Sequence, residues 1–499
     1  WRAPMSARDL LRDPCWQGSD LGHPLPDATH AVSVALPRWR DVIAYEEHDP
    51  ACRGALRAVY PRFGQHPILK RLAARSLQAA GVASSSGFSS WAYPNQAAAE
   101  AALAHCRRQS PKGQTHLLPI HGLICLIADA GSTPAAKAFW QHTGLGASSR
   151  LAAIALGENE AASEAAGQTA RSNVIRRLAQ IYGCDADAVS LYPSGMTALH
   201  RALELVSALR PNRPVLQIGF PYVDVLKLPQ VVFQGAELLL DDSEASVNAA
   251  LERLQPSAVV VELPSNPLLR CVDLPSIARL ARQRGIPVIA DDTIGSGINI
   301  DALPHSDLVF SSLTKSFAGR GDVLAGCLVR SHHSRWRDQL AASANALQPL
   351  AQLAGDDAIA LDQGSADVHA RVHQLNANTL FLAERLRRHP AVANLFHPGE
   401  CENFRALQRT RGGHGCLLSF ELRGGAKTAE SVYDSLQVCK GPSLGTAFTL
   451  VCPYVMLAHY EELAWAASCG VPSHLLRVSV GLEQPQELWE RFQRAFEHA

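Results

Sequence analysis

The chemistry-bearing residues of this chain gather at the ends of short apolar runs. Ser311-Ser312-Leu313-Thr314-Lys315-Ser316-Phe317-Ala318-Gly319 sets one lysine among small hydroxylated residues, directly after the apolar run Asp307-Leu308-Val309-Phe310. About twenty residues upstream, a spacing in the range used by other cofactor motifs, Pro287-Val288-Ile289-Ala290-Asp291-Asp292-Thr293 forms a second apolar run that ends in acid. A lysine can form a Schiff base, a carboxylate can hold a protonated pyridine nitrogen, and hydroxyls can receive a phosphate. Together these are what pyridoxal 5'-phosphate requires of a protein.

Other stretches are consistent with that chemistry, each with a plainer alternative. Leu191-Tyr192-Pro193-Ser194-Gly195-Met196-Thr197 reads as a strand, a turn and the start of a helix. There Gly195 and Met196 would offer free backbone N–H groups to a phosphate, although Ser194 as an ordinary N-cap explains the same pattern. Tyr222, in Phe220-Pro221-Tyr222, could lie over an aromatic cofactor or be a core tyrosine. Asn266, in Glu262-Leu263-Pro264-Ser265-Asn266-Pro267, could reach a ring oxygen or simply be a turn asparagine. Asp291 and Asp292 point to opposite sides if their strand continues, and an acid buried beside a pyridinium is stabilised as carboxylate. Arg477, in the alternating run Leu475 to Val480, shares a face with Leu475 and Ser479. An inward arginine needs an anion, either a substrate α-carboxylate gripped bidentately or an acid such as Glu483. Ser443 could assist that carboxylate or only shape its turn.

The elements that must position these groups divide the chain into three expected regions. Residues 166–350 alternate short β-branched runs (Val189-Tyr192, Val215-Ile218, Ala258-Leu263, Val288-Asp291, Leu308-Leu313, Gly326-Val329) with helix-like stretches such as Thr197 to Leu209 and Leu274 to Arg284. That pattern predicts an α/β domain with a mostly parallel central sheet and helices on both faces. Ligands then sit beyond the carboxyl ends of the strands, where the candidates fall. Residues 351–499 predict a smaller α+β domain, with a long helix Val368 to Arg388, strands Gly415 to Leu422 and Leu475 to Val480, and a final helix Pro485 to His498. Residues 1–165 form an N-terminal extension of mixed structure whose fold periodicity does not assign. They include Ser84-Ser85-Ser86-Gly87-Phe88-Ser89-Ser90 and end near Gly157 to Gly167, which reads as a mobile connector. His116 to Ala130 reads as a buried strand or helix.

Bulk properties exclude several classes. The 499 residues carry 46 Lys+Arg against 46 Asp+Glu, which leaves no basic field for nucleic acid or an anionic membrane. No apolar run approaches the ~20 residues of a membrane helix. The 12 cysteines are single, without paired spacing, so neither a metal site nor a disulfide framework is expected. Trp1-Arg2-Ala3-Pro4 opens no signal-type segment, and its first residue suggests a trimmed chain. The expected home is cytoplasmic and reducing.

The ordered motifs resemble the cystathionine γ-synthase family of fold-type-I pyridoxal-phosphate enzymes of Cys/Met metabolism. The matching residues are Ser194-Gly195-Met196, Glu262 to Leu268, Ala290 to Thr293, Ser312 to Lys315 with Gly319 and Asp322, Ser443-Leu444-Gly445 and Arg477 to Glu483. Tyr60-Pro61-Arg62-Phe63, Phe139 to Gly144, Gly219 to Asp224 and Gly441 to Leu450 extend the resemblance to the long fungal-type members. The resemblance implies a role for each position. Lys315 would hold the cofactor and shuttle protons, with Tyr222 as a second catalytic group stacked on the ring. Asp291 would pair with the pyridine nitrogen and Asn266 with the ring oxygen. Gly195, Met196, Ser312 and Thr314 would surround the phosphate, and Arg477 with Ser443 would bind the substrate carboxylate.

Two departures stand out against the family pattern. The family's Tyr-x-Arg motif reaches the phosphate of a neighbouring subunit. Here its nearest match is Ser148-Ser149-Arg150, with serine in place of tyrosine, and Arg150 is taken as the cofactor-binding arginine; Tyr60-Pro61-Arg62 keeps the spacing but lies far upstream. Asp292 stands where the family usually has asparagine. The implied reaction is γ-replacement on an O-acetyl- or O-succinyl-L-homoserine by L-cysteine, giving L-cystathionine. Sulfide or carbon nucleophiles, or a β/γ-lyase reaction, remain as alternatives on the same scaffold. Partners would be small amino-acid substrates and further copies of the chain, as a dimer or tetramer.

Overall fold

The computed structural model describes residues 8–61, 63–83 and 87–499. Trp1 to Pro4, Arg62 and Ser84 to Ser86 lie outside the described residues. Three sheets organise the rest. The first is antiparallel, with β1 (Ser89–Tyr93), β2 (Thr115–Ile120) and β3 (Leu123–Ala128) in the order β1-β3-β2. His116 to Ala130 is therefore neither one strand nor a helix. It is a hairpin whose turn at His121 and Gly122 carries φ of 44° and 85°, a reversal the hydropathy of the stretch conceals.

The central sheet contains β4 (Val189–Tyr192), β5 (Val215–Ile218), β6 (Ala236–Leu239), β7 (Val259–Glu262), β8 (Val288–Asp291), β9 (Leu308–Ser312) and β10 (Gly326–Arg330). Its order is β4-β10-β9-β8-β7-β5-β6. The run β6-β5-β7-β8-β9 is parallel, and β10 pairs antiparallel with both β9 and β4. The interior strands are buried on both faces, which explains their near-continuous apolar sequence. β6 is half-buried at the edge and shows no alternation, so the sequence pattern passes over it.

This topology brings the carboxyl ends of β7, β8 and β9 to one edge. β10 begins there too, with Gly326 opposite both Ser312 and Tyr192. A Cβ on Gly326 would lie 2.3 Å from the Ser194 carbonyl oxygen, so only glycine lets β10 start this close to the turn.

The third sheet contains β11 (Val392–Phe396), β12 (Leu417–Leu422), β13 (Cys439–Lys440), β14 (Leu450–Pro453) and β15 (Leu476–Ser479), in the order β11-β12-β15-β14-β13. The helices Val368–Arg388, Gly425–Ser435 and Pro485–Phe496 pack on it. The N-terminal chain runs along its β13 edge: the Leu36 amide donates to the Lys440 carbonyl at 2.8 Å, and the Tyr433 phenol donates to the Leu36 carbonyl at 2.7 Å. The expected connector near Gly157 to Gly167 is shorter than its composition suggests. Helix Ser149–Leu156 ends at Gly157 with φ of 75°, and helix Glu164–Tyr182 already contains Gly167. A Cβ on Gly167 would come within 2.7 Å of the Gly355 backbone, so this glycine serves helix packing.

Candidate active site

Arg150, Gly195, Met196, Tyr222, Asn266, Asp291, Ser312, Thr314, Lys315, Ser443 and Arg477 all line one cavity of about 190 Å³ at the carboxyl edge of the central sheet. The lysine loop follows β9. The Lys315 Nζ donates to the Tyr60 phenol at 2.9 Å and more distantly to the Ser443 hydroxyl at 3.4 Å. The loop is held from two sides. Arg371, on helix Val368–Arg388, donates to the Phe317, Gly364 and Ser316 carbonyls at 2.7, 3.2 and 3.3 Å. Gly445 (φ 75°) packs so closely that a Cβ would lie 2.3 Å from the Ser316 nitrogen.

Helix Gly195–Leu209 aims its N-terminus into the cavity. Ser194 caps it by accepting from the Thr197 amide at 3.1 Å, which leaves the Gly195 and Met196 amides at the helix's positive end. A Cβ on Gly195 would meet Ser312 Cβ at 2.8 Å, so the helix start and the end of β9 form one close-walled cradle. The Thr314 hydroxyl is engaged by the Ala325 backbone. Arg150 lines the cavity with its guanidinium on the Asp322 carbonyl at 2.8 Å and on the Asp357 carboxylate at 3.4 Å.

Three buried ionisable groups face this cavity with no ion-pair partner among the described residues. Lys315 has neither Asp nor Glu within ion-pair reach. Asp291 accepts from the Thr293 amide at 2.9 Å but has no cation, and burial pushes its carboxyl up to about 6 against those Thr293 hydrogen bonds. Arg477 donates to the Ser443 carbonyl at 2.6 Å and to Asn266 Oδ1 at 3.4 Å, while its Nε has no hydrogen-bond partner. Glu483 is turned to the Thr449 amide and hydroxyl instead, so the structural ion pair open to Arg477 in the sequence does not form. Burying unpaired charges is costly, and their convergence in one cavity marks a ligand site.

The profile of the family described as Cys/Met metabolism PLP-dependent enzyme matches residues 160–497. The chain belongs to that family. It is 30% identical to a cystathionine gamma-synthase of Neurospora crassa, over 96% of this chain and 98% of the relative. It is 33% identical to an L-2-amino-4-chloropent-4-enoate dechlorinase/desaturase of Streptantibioticus cattleyicolor, over 95% and 98% of the two. Among solved structures, cystathionine gamma synthase of Xanthomonas oryzae pv. oryzae, in complex with aminoacrylate and cysteine, aligns with a TM-score of 0.58 at 26% identity. It covers 67% of this chain and 88% of its own. The fold is that of a fold-type-I PLP enzyme, and pyridoxal phosphate is the family's cofactor. The cavity fits that group: an acid without a cation, a lysine without an acid, and a helix N-terminus walled by a hydroxyl.

Tyr60 and Glu262 on this PLP enzyme's cavity, and Arg371 behind its lysine loop, have roles that the sequence motifs do not assign. Tyr60 stands in a segment without regular structure, yet its phenol meets Lys315, whose ammonium lies 4.7 Å from its ring centre. Burial alone would raise its pKa, but the charge of Lys315, hydrogen bonds with Lys315 and Tyr222, and the charge of Arg477 pull it below the ordinary phenol value. The Tyr60-Pro61-Arg62 spacing was the available clue, set aside for its distance in sequence. Glu262 accepts from the Tyr222 amide at 2.8 Å. Burial, then the charge of Asp291, push its carboxyl well above the usual range. Arg371 reaches the lysine loop from helix Val368–Arg388, about 55 residues further along the chain, a contact no local pattern announces. Among the described residues, no cluster of His, Cys, Asp and Glu could hold a metal, and no helix is long and apolar enough to cross a membrane.

Proposed function

We propose that this enzyme catalyses γ-replacement on an O-activated L-homoserine, O-acetyl or O-succinyl, with L-cysteine as nucleophile, giving L-cystathionine. The supporting observation is Arg477, a buried guanidinium without an acid on the same cavity as Lys315, as an amino-acid carboxylate requires. Likeness to a cystathionine gamma-synthase over nearly the whole chain points to chemistry at the γ carbon.

Bound in the cavity, pyridoxal phosphate supplies an electron sink that makes the Cα–H and Cβ–H bonds of an attached amino acid acidic. Lys315 would hold the cofactor and, when freed, move protons at Cα and Cβ. Asp291 would keep the ring nitrogen protonated, and Asn266 would reach the ring oxygen. Tyr222, its backbone fixed by Glu262, would lie against the ring. The Gly195 and Met196 amides with Ser312 and Thr314 would take the phosphate. Arg150 would act from the cavity wall, where Asp322 and Asp357 already offset its charge. Arg477 and the Ser443 loop would clamp the carboxylate. Tyr60, in contact with Lys315, would take the proton that leaves its ammonium.

A second reading has specific support. The relative named for a 4-chloro amino acid has its leaving group on the same carbon, so elimination without a second substrate competes with replacement. The test is product analysis with O-acetyl-, O-succinyl- and O-phosphohomoserine, each with and without cysteine. Cysteine-dependent cystathionine is the expected result. Keto-acid release at equal rate with and without cysteine would favour elimination, and inertness toward all three esters would overturn both readings.

A further inference from the structure

The acid after Asp291 is not absorbed by the reaction just described. The Asp292 amide donates to the Phe310 carbonyl at 3.2 Å, so the strand geometry of β8 carries one residue further and side chains keep alternating. Asp291 lines the cavity, whereas Asp292 is fully buried on the opposite face. There the Tyr182 phenol, at the end of helix Glu164–Tyr182, lies 2.9 and 3.0 Å from its two carboxyl oxygens.

The groups facing Asp292 come from each element packed around it. They are Tyr182 from the helix, Ser311 from β9, Cys327 from β10 and Asp291 from its own strand. The cation whose field reaches it is Arg409, itself 3.2 Å from Asp301; no cation pairs with Asp292 among the described residues. A neutral amide could accept the same phenol hydrogen bond, so packing does not demand an acid here. Burial pushes Asp292 up to about 7, with the Asp291 charge adding and the Tyr182 hydrogen bond opposing.

We propose that Asp292 is a positioning residue for the cofactor, acting through Asp291 to set how firmly the ring nitrogen is held and making that hold depend on pH. The inference rests on the cofactor reading above. Across the one peptide unit that joins them, the Asp291 charge opposes ionisation of Asp292. A protonated ring nitrogen paired with Asp291 favours the ionised form of Asp292. Cofactor binding therefore lowers the Asp292 pKa and releases a proton, and linkage requires affinity to rise with pH through the neutral range. Asparagine at this position would remove the share of that dependence that belongs to position 292, leaving the shares of Asp291 and Lys315.

The experiment measures pyridoxal-phosphate affinity of the apoprotein as wild type, Asp292→Asn and Tyr182→Phe, from about pH 5.5 to about pH 8.5. Near the acid end, where position 292 is neutral in both, wild type and Asp292→Asn should agree within about twofold. Near the alkaline end wild type should bind on the order of tenfold tighter, as a one-unit shift requires. Tyr182→Phe removes a donor that favours the carboxylate, so its rise should move to higher pH. A ratio that stays constant with pH, as a purely structural role gives, would overturn the proposal, as would tighter alkaline binding by Asp292→Asn. If Asp292→Asn does not fold, an unmoved rise in Tyr182→Phe overturns it equally. Wild type that takes up no cofactor at any pH sinks the cofactor reading itself, and this inference with it.

Discussion

The central sheet and the N-terminal region meet at the Lys315 amine, and they hold their groups there by different means. The sheet presents Glu262, Asp291 and Ser312 from neighbouring strands whose backbones are paired, with Glu262 opposite Asp291 in register. The N-terminal region presents Tyr60 between helices Pro50–Ala55 and Pro67–Ala79, without regular structure. Aromatic contact secures it: the Phe63 ring lies 5.7 Å from Tyr60 and 5.1 Å, edge-on, from Tyr45. A strand end is fixed by backbone hydrogen bonds that any sequence retains, whereas a loop-borne phenol is fixed by a few ring contacts. The sheet therefore fixes its groups through the backbone, whereas Tyr60 depends on side-chain contacts with Phe63, Lys315 and Tyr222.

The sharpest way to break this comparison is at the residue both regions share. Lys315→Ala should reduce turnover roughly ten-thousand-fold or more, removing both the covalent anchor and the proton carrier. Borohydride treatment followed by peptide mass mapping should find no cofactor label at position 315 in the variant and full labelling in wild type. Wild-type turnover in the variant would remove the lysine from the chemistry altogether.

Arg477 tests the C-terminal sheet against the other two regions. Arg477→Lys keeps the charge but loses the planar fork that reaches the Ser443 carbonyl and Asn266. Losing charge-assisted hydrogen bonds of ~1.5–3 kcal/mol should lower kcat/KM about a hundredfold, mainly through KM. A variant with unchanged KM would place the substrate carboxylate elsewhere.

What could be seen in advance follows the same division. Val288 to Asp291 and Leu308 to Ser312 were legible because a buried parallel strand writes a continuous apolar run into the sequence. Chemistry then falls at the end of that run. Arg477 was legible because β15 alternates apolar with polar residues, and an arginine on the polar face of a buried strand calls for an anion. Tyr60 and Arg371 were not, since each reaches Lys315 or its loop across 255 or about 55 residues of chain and neither breaks a local pattern. The N-terminal sheet escaped for a related reason: Leu123 to Ala128 is apolar on both faces, which hides a hairpin inside one hydrophobic stretch.

Tyr60→Phe probes the N-terminal contribution directly. It keeps the ring against Phe63 and deletes the hydroxyl that meets Lys315. General acid–base groups contribute about a hundredfold or more, and kcat should fall by roughly that lower figure. Because the phenol's pKa lies below its ordinary value and its base form is the ionised one, wild-type rate should fall as pH drops through that pKa. Phenylalanine should abolish that acid limb. A variant slower at every pH by the same factor would assign Tyr60 to packing alone.

The smallest effect is expected at Ser443, where side chain and backbone make separable claims on the substrate site. Its hydroxyl lies 3.4 Å from Lys315, near the outer limit of a hydrogen bond, while its carbonyl holds Arg477 at 2.6 Å. Ser443→Ala removes only the weaker contact, so kcat/KM should drop a few-fold, in line with about 1 kcal/mol for one neutral hydrogen bond. The backbone of Ser443 sits at φ of 96°, a conformation glycine adopts without strain. Ser443→Gly should therefore match the alanine variant in rate yet unfold at higher temperature. A hundredfold loss in Ser443→Ala would mean that the hydroxyl, rather than the loop's carbonyl, sets the geometry of the Arg477 clamp. The Ser443 loop would then serve the clamp by side-chain chemistry, as Arg477 on β15 does, rather than by backbone shape.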